Sequence, residues 1–436
     1  MADPAMSVTP YGELTFDADG DADERRRDRL IDQVVDRGVR DLVVLAHGWN
    51  SDRPAATRLY SAFFAPFPRL APRARIGFAG VVWPSMRFAD EPIPDFPRAV
   101  AAERPPRPAV DKDTRQALVD TFPGRATVID RLVRLLDQQP REEAALEEFG
   151  RLVRLLVEVV PPGPQALFAA DTLAEGVPQD EPLMFSAPVA AVCEEFARAL
   201  ADPGTAAPGL ALPNPWEGAQ ELLRQATYYA MKRRAGTVGE RGLGPVVGQL
   251  AAAAPEVRVH LVGHSFGARL VSFALRGLPE GVRTVKSVTL LQGAFSHYAF
   301  AARLPHDARA GGMLHGQQNR IDGPLVCCHS RHDSALGTFY PLASRMAGDD
   351  RGVAGPVVDR ALGARWGALG YDGVRAVPGT RALTLADALA APLPRSGCVN
   401  VDASAVVRRG EPPAGAHGDI LHDELARLVL AAGRVR

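Results

Sequence analysis

Apolar positions along this chain follow two patterns, short continuous runs and longer stretches with helical spacing. The continuous runs are bounded by turn residues, which is typical of strands buried on both faces of a sheet. They predict strands at residues 41–46, 76–83, 257–262, 285–291, 324–329 and 396–401, with a short one at 14–16. The helical spacing predicts helices at residues 24–37, 268–275 and 421–432. Because strands alternate with helices, we expect an α/β protein with a mostly parallel, doubly wound sheet.

The stretch between Pro84 and Glu256 lacks a run rich in β-forming residues and carries several helical patterns separated by proline-rich segments. Residues 131–136 and 151–156 repeat one basic and apolar pattern, and acidic residues lie between them. We predict two packed amphipathic helices, because ordinary globular helices carry such a stripe. A helix face that docks on a membrane surface is the alternative. The domains predicted are a first core segment with an N-terminal arm (1–89), a helical cap insertion (90–220) and a second core segment (221–436).

The most informative chemical pattern is GHSFG at residues 263–267. It directly follows a predicted strand and precedes a predicted helix, which is the context of a nucleophile elbow. Glycines suit such a turn because strand and helix pack too closely for Cβ atoms. The elbow would hold Ser265 at the carboxyl end of the sheet and aim the amide of Phe266 at a developing oxyanion. A tight glycine turn with an incidental serine is the alternative.

A serine hydroxyl needs a positioned base to become a nucleophile, and that base needs an acid to orient it. Downstream of Ser265, Asp333 lies four residues after a predicted strand, in a loop at its carboxyl end. His417 lies in a loop of small residues between the last strand and the last helix. We therefore predict a catalytic triad of Ser265, His417 and Asp333.

Other residues compete for both roles. Asp402 follows the last predicted strand and is the better alternative acid, whereas Asp322 precedes a strand and would lie at the wrong edge of the sheet. Asp333 could also cap a helix over the residues that follow it. His422 is the alternative base, although we expect it inside the last helix. We expect structural or surface roles for the remaining candidates, which are His260, His297, His306, His315 and His329.

The loop after the first long strand, HGWN at residues 47–50, lies where a second oxyanion donor is required. The amide of Trp49 would join that of Phe266, and Gly48 would let the backbone pass close to a substrate. The pocket is predicted to be lined by the cap, by residues 292–295 and by a glycine-rich segment around 366–371. The predicted substrate-binding residues are His47, Gly48, His264, Gln292 and Phe295.

The HGWN loop, the GHSFG elbow and the GAHGDI loop at residues 415–420 together resemble an α/β-hydrolase of the serine esterase or lipase kind. The resemblance covers roughly residues 40–90 and 225–436. Within it, residues 226–236 and 83–85 are similar to segments of uncharacterised bacterial hydrolases. The 90–220 insertion resembles no family that we can name.

This resemblance implies an α/β-hydrolase fold and cleavage of a carboxylic ester through an acyl-enzyme, with neither a cofactor nor a metal. Cleavage of an amide, a peptide or a thioester would use the same machinery, so fold alone does not separate these reactions. A non-catalytic binding or scaffold module on the same fold is the alternative from another class. The expected partner is a small ester or a lipid-like molecule.

Composition narrows the partners and the location. The 436 residues include 50 basic and 51 acidic ones, so no overall charge recruits nucleic acid. Four cysteines are too few for a disulfide framework, and none has metal-ligand spacing. The N-terminus has no signal-peptide pattern, and no apolar run is long enough for an integral membrane segment. A cytoplasmic protein is the default expectation, with peripheral membrane contact through the cap helices left open.

Overall fold

The computed structural model describes residues 6–49, 51–86, 110–157, 168–174, 183–200, 214–339, 367–410 and 414–436. The strands are β1 (Tyr11–Thr15), β2 (Asp41–Ala46), β3 (Ile76–Val82), β4 (Thr172–Ala174), β5 (Arg258–His264), β6 (Val285–Leu291), β7 (Ala310–Gly312), β8 (Pro324–His329), β9 (Arg381–Thr384) and β10 (Gly397–Asp402).

The helices fall into four groups along the chain. Helices α1 (Glu24–Asp36), α2 (Arg53–Phe64) and α3 (Phe67–Leu70) alternate with the first strands. Between β3 and β5 lie α4 (Lys112–Thr121), α5 (Ala126–Gln138), α6 (Glu143–Leu156), α7 (Leu183–Ser186), α8 (Val189–Leu200), α9 (Pro215–Thr237) and α10 (Gly244–Ala253). Helix α11 (Phe266–Gly277) follows β5. The last three are α12 (Leu369–Asp372), α13 (Leu385–Ala390) and α14 (Asp423–Gly433).

Eight strands form one sheet in the order β1-β3-β2-β5-β6-β8-β10-β9, and every neighbouring pair is parallel. Both β2 and β3 are buried at every position, which explains their continuous apolar sequences. The strands predicted at 41–46, 285–291 and 324–329 match β2, β6 and β8 residue for residue. The expected α/β class with a parallel sheet is confirmed.

Helices cover both faces of this sheet. One face packs against α1, α9, α10 and α11, and the other packs against α2, α3, α13 and α14. This arrangement is compatible with a doubly wound fold. From β2 the chain first adds β3 on one side and later returns to β5 on the other. In open parallel sheets, ligands bind outside the carboxyl ends of the strands at such a reversal point.

Helices α5 and α6, within the predicted insertion, pack against each other as expected. Their buried stripes include Leu132 and Leu135 on α5 and Phe149 and Val153 on α6. Arg131 donates two hydrogen bonds of 2.7 Å to Glu148, which shows how acidic and basic residues of the repeat pair across the two helices. The proline-rich segments at 91–94, 105–108 and 161–164 lie outside the described residues.

Three expectations differ from the structure. The segment between Pro84 and Glu256 does contain a strand, because β4 pairs antiparallel with β7 in a separate two-stranded sheet. A strand of three residues is too short to show a period. Strand β9 was not predicted, since most of its residues are exposed and carry no apolar run. His422 lies outside the last helix, at its N-cap, with an extended backbone (φ −124°, ψ 137°).

Helix α9 continues through residue 220, where we placed the end of the insertion. The backbone is therefore helical across that boundary, and the division into domains stays a prediction. Among the helices that the structure describes, none combines the length and the apolar character needed to cross a membrane.

Candidate active site

Ser265 connects β5 to α11 in a backbone conformation that non-glycine residues rarely adopt (φ 55°, ψ −120°). The residues two positions before and after it must be glycine: a Cβ at Gly267 would lie 2.0 Å from the carbonyl oxygen of Ala46, and one at Gly263 would lie 2.3 Å from the carbonyl oxygen of Gly267. The Ser265 amide donates to the carbonyl of Leu291 at 3.1 Å. The surrounding backbone thus holds the strained turn in place.

Ser265 and the predicted base and acid form one hydrogen-bonded chain. The Oγ of Ser265 lies 2.9 Å from Nε2 of His417, and Nδ1 of His417 lies 2.8 Å from Oδ2 of Asp333. An ionised carboxylate only accepts hydrogen bonds, so Nδ1 carries the proton and Nε2 is free to accept from the serine hydroxyl. This is the geometry of a general base that removes a proton from a nucleophile.

The carboxylate of Asp333 is fully buried, and each of its oxygens accepts a hydrogen bond from a different segment. While Oδ2 faces His417, Oδ1 accepts a hydrogen bond of 3.0 Å from the amide of Leu336 at the start of a π-helical turn (Ala335–Phe339). The capping role that we considered as the alternative for Asp333 therefore coexists with its contact to the imidazole. The cap fixes the direction in which the second oxygen points.

The competing residues have other partners. Asp402 accepts a hydrogen bond of 2.9 Å from the amide of Ser404. Asp322 forms an ion pair with Lys286. His422 binds Oδ1 of Asp419 through its Nε2 at 2.9 Å. These contacts hold Asp402 and His422 to neighbouring residues of their own segments and pair Asp322 with β6.

Gly48 brings the loop after β2 directly over the serine. A Cβ on Gly48 would lie 2.8 Å from the Cβ of Ser265 and 3.3 Å from its Oγ, so only glycine allows this approach. Trp49 is the next residue, and Phe266 is the first residue of α11, where an amide has no acceptor within its own helix. The proposed oxyanion role of these two amides stays a prediction.

Tyr228 on α9 packs against both residues that would supply those amides. Its ring centroid lies 5.3 Å from that of Trp49 and 4.5 Å from that of Phe266. No motif in the sequence pointed to Tyr228. Its contact with two loops distant in sequence depends on packing that no local pattern displays.

His47 lies beneath the Gly48 loop. Its ring stacks on Trp83 at 5.5 Å, and its Nδ1 donates to the carbonyl of Gly48 at 2.8 Å. Burial lowers the pKa of His47 to about 4, so the ring is neutral at pH 7. The structure thus places His47 as a support of the loop, and its predicted contact with a substrate stays a prediction.

The predicted pocket residues after β6 are buried. Gln292 has a positive φ of 46°, is fully buried, and within the described residues has no hydrogen-bond partner for either side-chain amide atom. Phe295 is also fully buried and packs near Phe300, with ring centroids 6.4 Å apart. Asn50 and Trp366, which belong to two of the predicted site segments, lie outside the described residues.

A buried ionic cluster lies one helical turn beyond the serine. Asp171 binds Arg269 on α11, and its Oδ2 lies 2.8 Å from Nζ of Lys232 on α9. The amide of Ser296, in the loop after β6, donates to the same oxygen at 3.0 Å. The sequence signal for this cluster was Arg269 among the mostly apolar residues of a predicted helix, but its acidic partner lies 98 residues away.

A second serine, histidine and aspartate also meet in this fold. His260 lies 3.0 Å from Oγ of Ser287 through Nδ1 and 3.0 Å from Oδ1 of Asp41 through Nε2. All three are buried, and Asp41 begins a strand, at the sheet edge opposite to Ser265. Ser287 lies within β6, beside an irregularity in its pairing with β5, and not at an exposed turn. This group is a satisfied polar contact of the core, as expected for His260.

Comparisons with family models, curated proteins and solved structures find no match to this chain. In the part of the chain that the structure describes, no group of three or more His, Cys, Asp or Glu side chains is arranged to hold a metal ion.

Proposed function

We propose that this protein is a serine hydrolase of the α/β-hydrolase kind that cleaves a carboxylic ester. One observation carries the proposal: Ser265, at a strained turn between a strand and a helix, lies 2.9 Å from His417, which in turn lies 2.8 Å from a buried Asp333. In support, Ser265 directly follows β5, next to the reversal of strand order, and Asp333 and His417 lie in the segments that follow β8 and β10.

In the proposed reaction, Oγ of Ser265 attacks the ester carbonyl while Nε2 of His417 takes the hydroxyl proton. The amides of Phe266 and Trp49 stabilise the oxyanion of the tetrahedral intermediate. Collapse of this intermediate expels the alcohol, which receives the proton from His417. Water then attacks the acyl-enzyme with His417 again acting as the base, which releases the acid and restores Ser265. Asp333 holds the imidazole in the required tautomer throughout.

The first test is labelling with a fluorophosphonate, which reacts with activated serines. We expect the wild type to form an adduct that peptide mapping locates on Ser265, and Ser265→Ala to form none. His422→Ala is the matched control, because His422 lies in the same segment as His417 but binds Asp419. An adduct on another residue, or an unlabelled wild type that is folded, would count against the proposal.

A separate measurement tests whether the substrate is an ester or another acyl derivative. Initial rates with esters of graded acyl length would be compared with those for a thioester and an anilide of the same acyl group. We expect the ester to have the highest kcat/KM. A higher kcat/KM for the thioester or the anilide would be consistent with the proposed triad but would overturn the assignment of an ester as the substrate.

A further inference from the structure

His264 precedes the candidate nucleophile and contacts the loop that carries the candidate base. Its Nε2 lies 2.8 Å from the main-chain carbonyl oxygen of His417, and the two imidazole rings lie 5.2 Å apart. A carbonyl oxygen only accepts hydrogen bonds, so Nε2 of His264 carries the proton. The side chain is almost fully buried.

The loop around His417 needs such a restraint. His417 lies in a short 3-10 turn of small residues (Gly415–Gly418). The amide of Ala416 donates to the carbonyl of His332 at 2.9 Å, which ties the turn to the segment carrying Asp333. The bond from His264 is a separate restraint, which ties the same turn to the last residue before Ser265. Together these two bonds hold the imidazole of His417 between the Oγ of Ser265 and the carboxylate of Asp333.

His264 also reaches the loop above the serine. Its Nδ1 would lie 3.5 Å from a Cβ on Gly48, which places the ring beside the backbone there. One side chain therefore lies between the loop after β2 and the turn of His417. We expect its replacement to change the relative position of the nucleophile and the base without removing either group.

The charge state of His264 suits this task. Burial, followed by the nearby His417, lowers the pKa of His264 to about 3, so it donates a hydrogen bond as a neutral ring. A cationic donor at this distance would repel the imidazolium that forms when His417 takes the serine proton. A neutral donor holds the base and does not oppose its protonation.

We propose that His264 is a positioning residue, which acts through the main-chain carbonyl of His417 to align the imidazole with Ser265. This inference rests on the proposed function, because it assigns His417 as the base. It replaces the substrate-binding role that the sequence suggested for His264 and makes this residue necessary for the rate of the chemical step.

The kinetic test compares His264→Gln with His264→Asn. The two amides have the same polarity, but only glutamine extends far enough to replace Nε2 as the donor. A misplacement of about 1 Å can cost on the order of 10²-fold in rate. We expect His264→Asn to lower the maximal rate of Ser265 phosphonylation by about 10- to 100-fold, with the inhibitor concentration at half-maximal rate little changed. His264→Gln should recover most of the rate, and His422→Asn should label as the wild type does.

A second measurement needs no reaction at Ser265. The proton that Nδ1 of His417 shares with Asp333 should resonate at unusually low field in the proton NMR spectrum. We expect this resonance in the wild type and in His264→Gln, and expect it to broaden or disappear in His264→Asn. If the asparagine variant does not fold, His264→Phe makes the same comparison with a ring of similar size.

The outcomes separate the two proposals. A wild type that shows the resonance, loses it in His264→Asn and fails to label supports the positioning role and contradicts the hydrolase. A wild type that labels, together with a folded His264→Asn variant that labels as fast and keeps the resonance, overturns the positioning role and leaves the hydrolase intact. Absence of the resonance from the wild type also overturns the positioning role.

Discussion

At the scale of single residues, the site depends on glycines as much as on the residues of the candidate triad. Gly48, Gly263 and Gly267 each lie where a Cβ would meet another atom at 2.8 Å or less. Only their absence of a side chain lets two loops close around Ser265, whose own φ of 55° is held by that closure. The strain is thus a property of the assembled turn, since Ser265 alone would avoid this conformation.

Asp333→Asn separates the orienting role of Asp333 from its capping role. The asparagine Oδ1 can still accept from the amide of Leu336, so we expect the fold to persist. Its NH₂ group would then face Nδ1 of His417 and favour the tautomer that cannot accept the serine proton. We expect kcat/KM to fall on the order of 10³- to 10⁴-fold, measured with an ester that the wild type hydrolyses.

The controls for this prediction are His422→Ala and Asp402→Asn, which alter the alternative base and acid. Both should change kcat/KM by less than about 3-fold, because surface substitutions away from the site cost little. Thermal midpoints would confirm that the variants are folded. If His422→Ala lost its esterase activity while Asp333→Asn kept it, another pair of residues would perform the chemistry.

At the scale of elements, the Asp171 cluster joins parts of the chain that the sequence separates widely. The carboxylate of Asp171, next to β4, receives hydrogen bonds from α9, from α11 and from the loop after β6. The amide of Met313, beyond β7, donates to the main-chain carbonyl of Asp171 at 2.9 Å. The helix that begins at the nucleophile elbow is therefore anchored to the segment between β3 and β5.

Asp171→Ala should destabilise the protein strongly. The substitution removes the carboxylate shared by Lys232 and Arg269, both of which are buried. Breaking a buried ion pair by removing one partner typically costs about 3–5 kcal/mol. We expect a large drop in the thermal midpoint, measured by circular dichroism in parallel with the wild type.

The matched control is Glu148→Ala, which removes the partner of Arg131 on the neighbouring helix. This pair is about a third or more exposed on both sides, and such surface pairs contribute about 0–1 kcal/mol. Its thermal midpoint should stay close to that of the wild type. Equal effects of the two substitutions would show that the Asp171 cluster does not anchor α11.

At the scale of the whole molecule, buried neutral histidines on several elements connect stability to pH. Burial lowers the pKa of His47 to about 4 and that of His264 to about 3, and it also lowers the pKa of His260. The unfolded chain binds protons at these histidines near pH 6.5, whereas the folded protein does not. Their stabilising contribution is therefore complete above about pH 6.5 and declines as the pH falls toward the folded pKa values.

We expect the thermal midpoint to fall measurably between pH 7.5 and pH 5. Between its unfolded and folded pKa values, each of these histidines can lower the free energy of unfolding by up to about 1.4 kcal/mol per pH unit. His264→Gln removes one titrating group, so its midpoint should fall less steeply over the same range. Identical midpoints at pH 7.5 and pH 5 would contradict the assignment of buried neutral rings.

The sequence alone determined the class of fold and the position of the serine. Strands such as β2, β6 and β8 are buried on both faces, and their continuous apolar runs mark their ends because turn residues bound them. The elbow at Ser265 was equally local, since strand, turn and helix are contiguous there. Such features lie in short contiguous stretches of the chain, so they can be recognised from a single sequence.

Chain order and loop position favoured Asp333 and His417 but left Asp402 and His422 open, and only the tertiary structure shows which pair lies within hydrogen-bonding distance of the serine. Four histidine–aspartate pairs exist among the described residues, and only His417 with Asp333 reaches Ser265: the others are His260 with Asp41, His297 with Asp372 and His422 with Asp419. The position of His422 at a helix cap, the short strand β4, and the contacts of Tyr228 and Asp171 were likewise decided by packing. Each depends on atoms brought together from distant parts of the chain, and no local pattern records such distances.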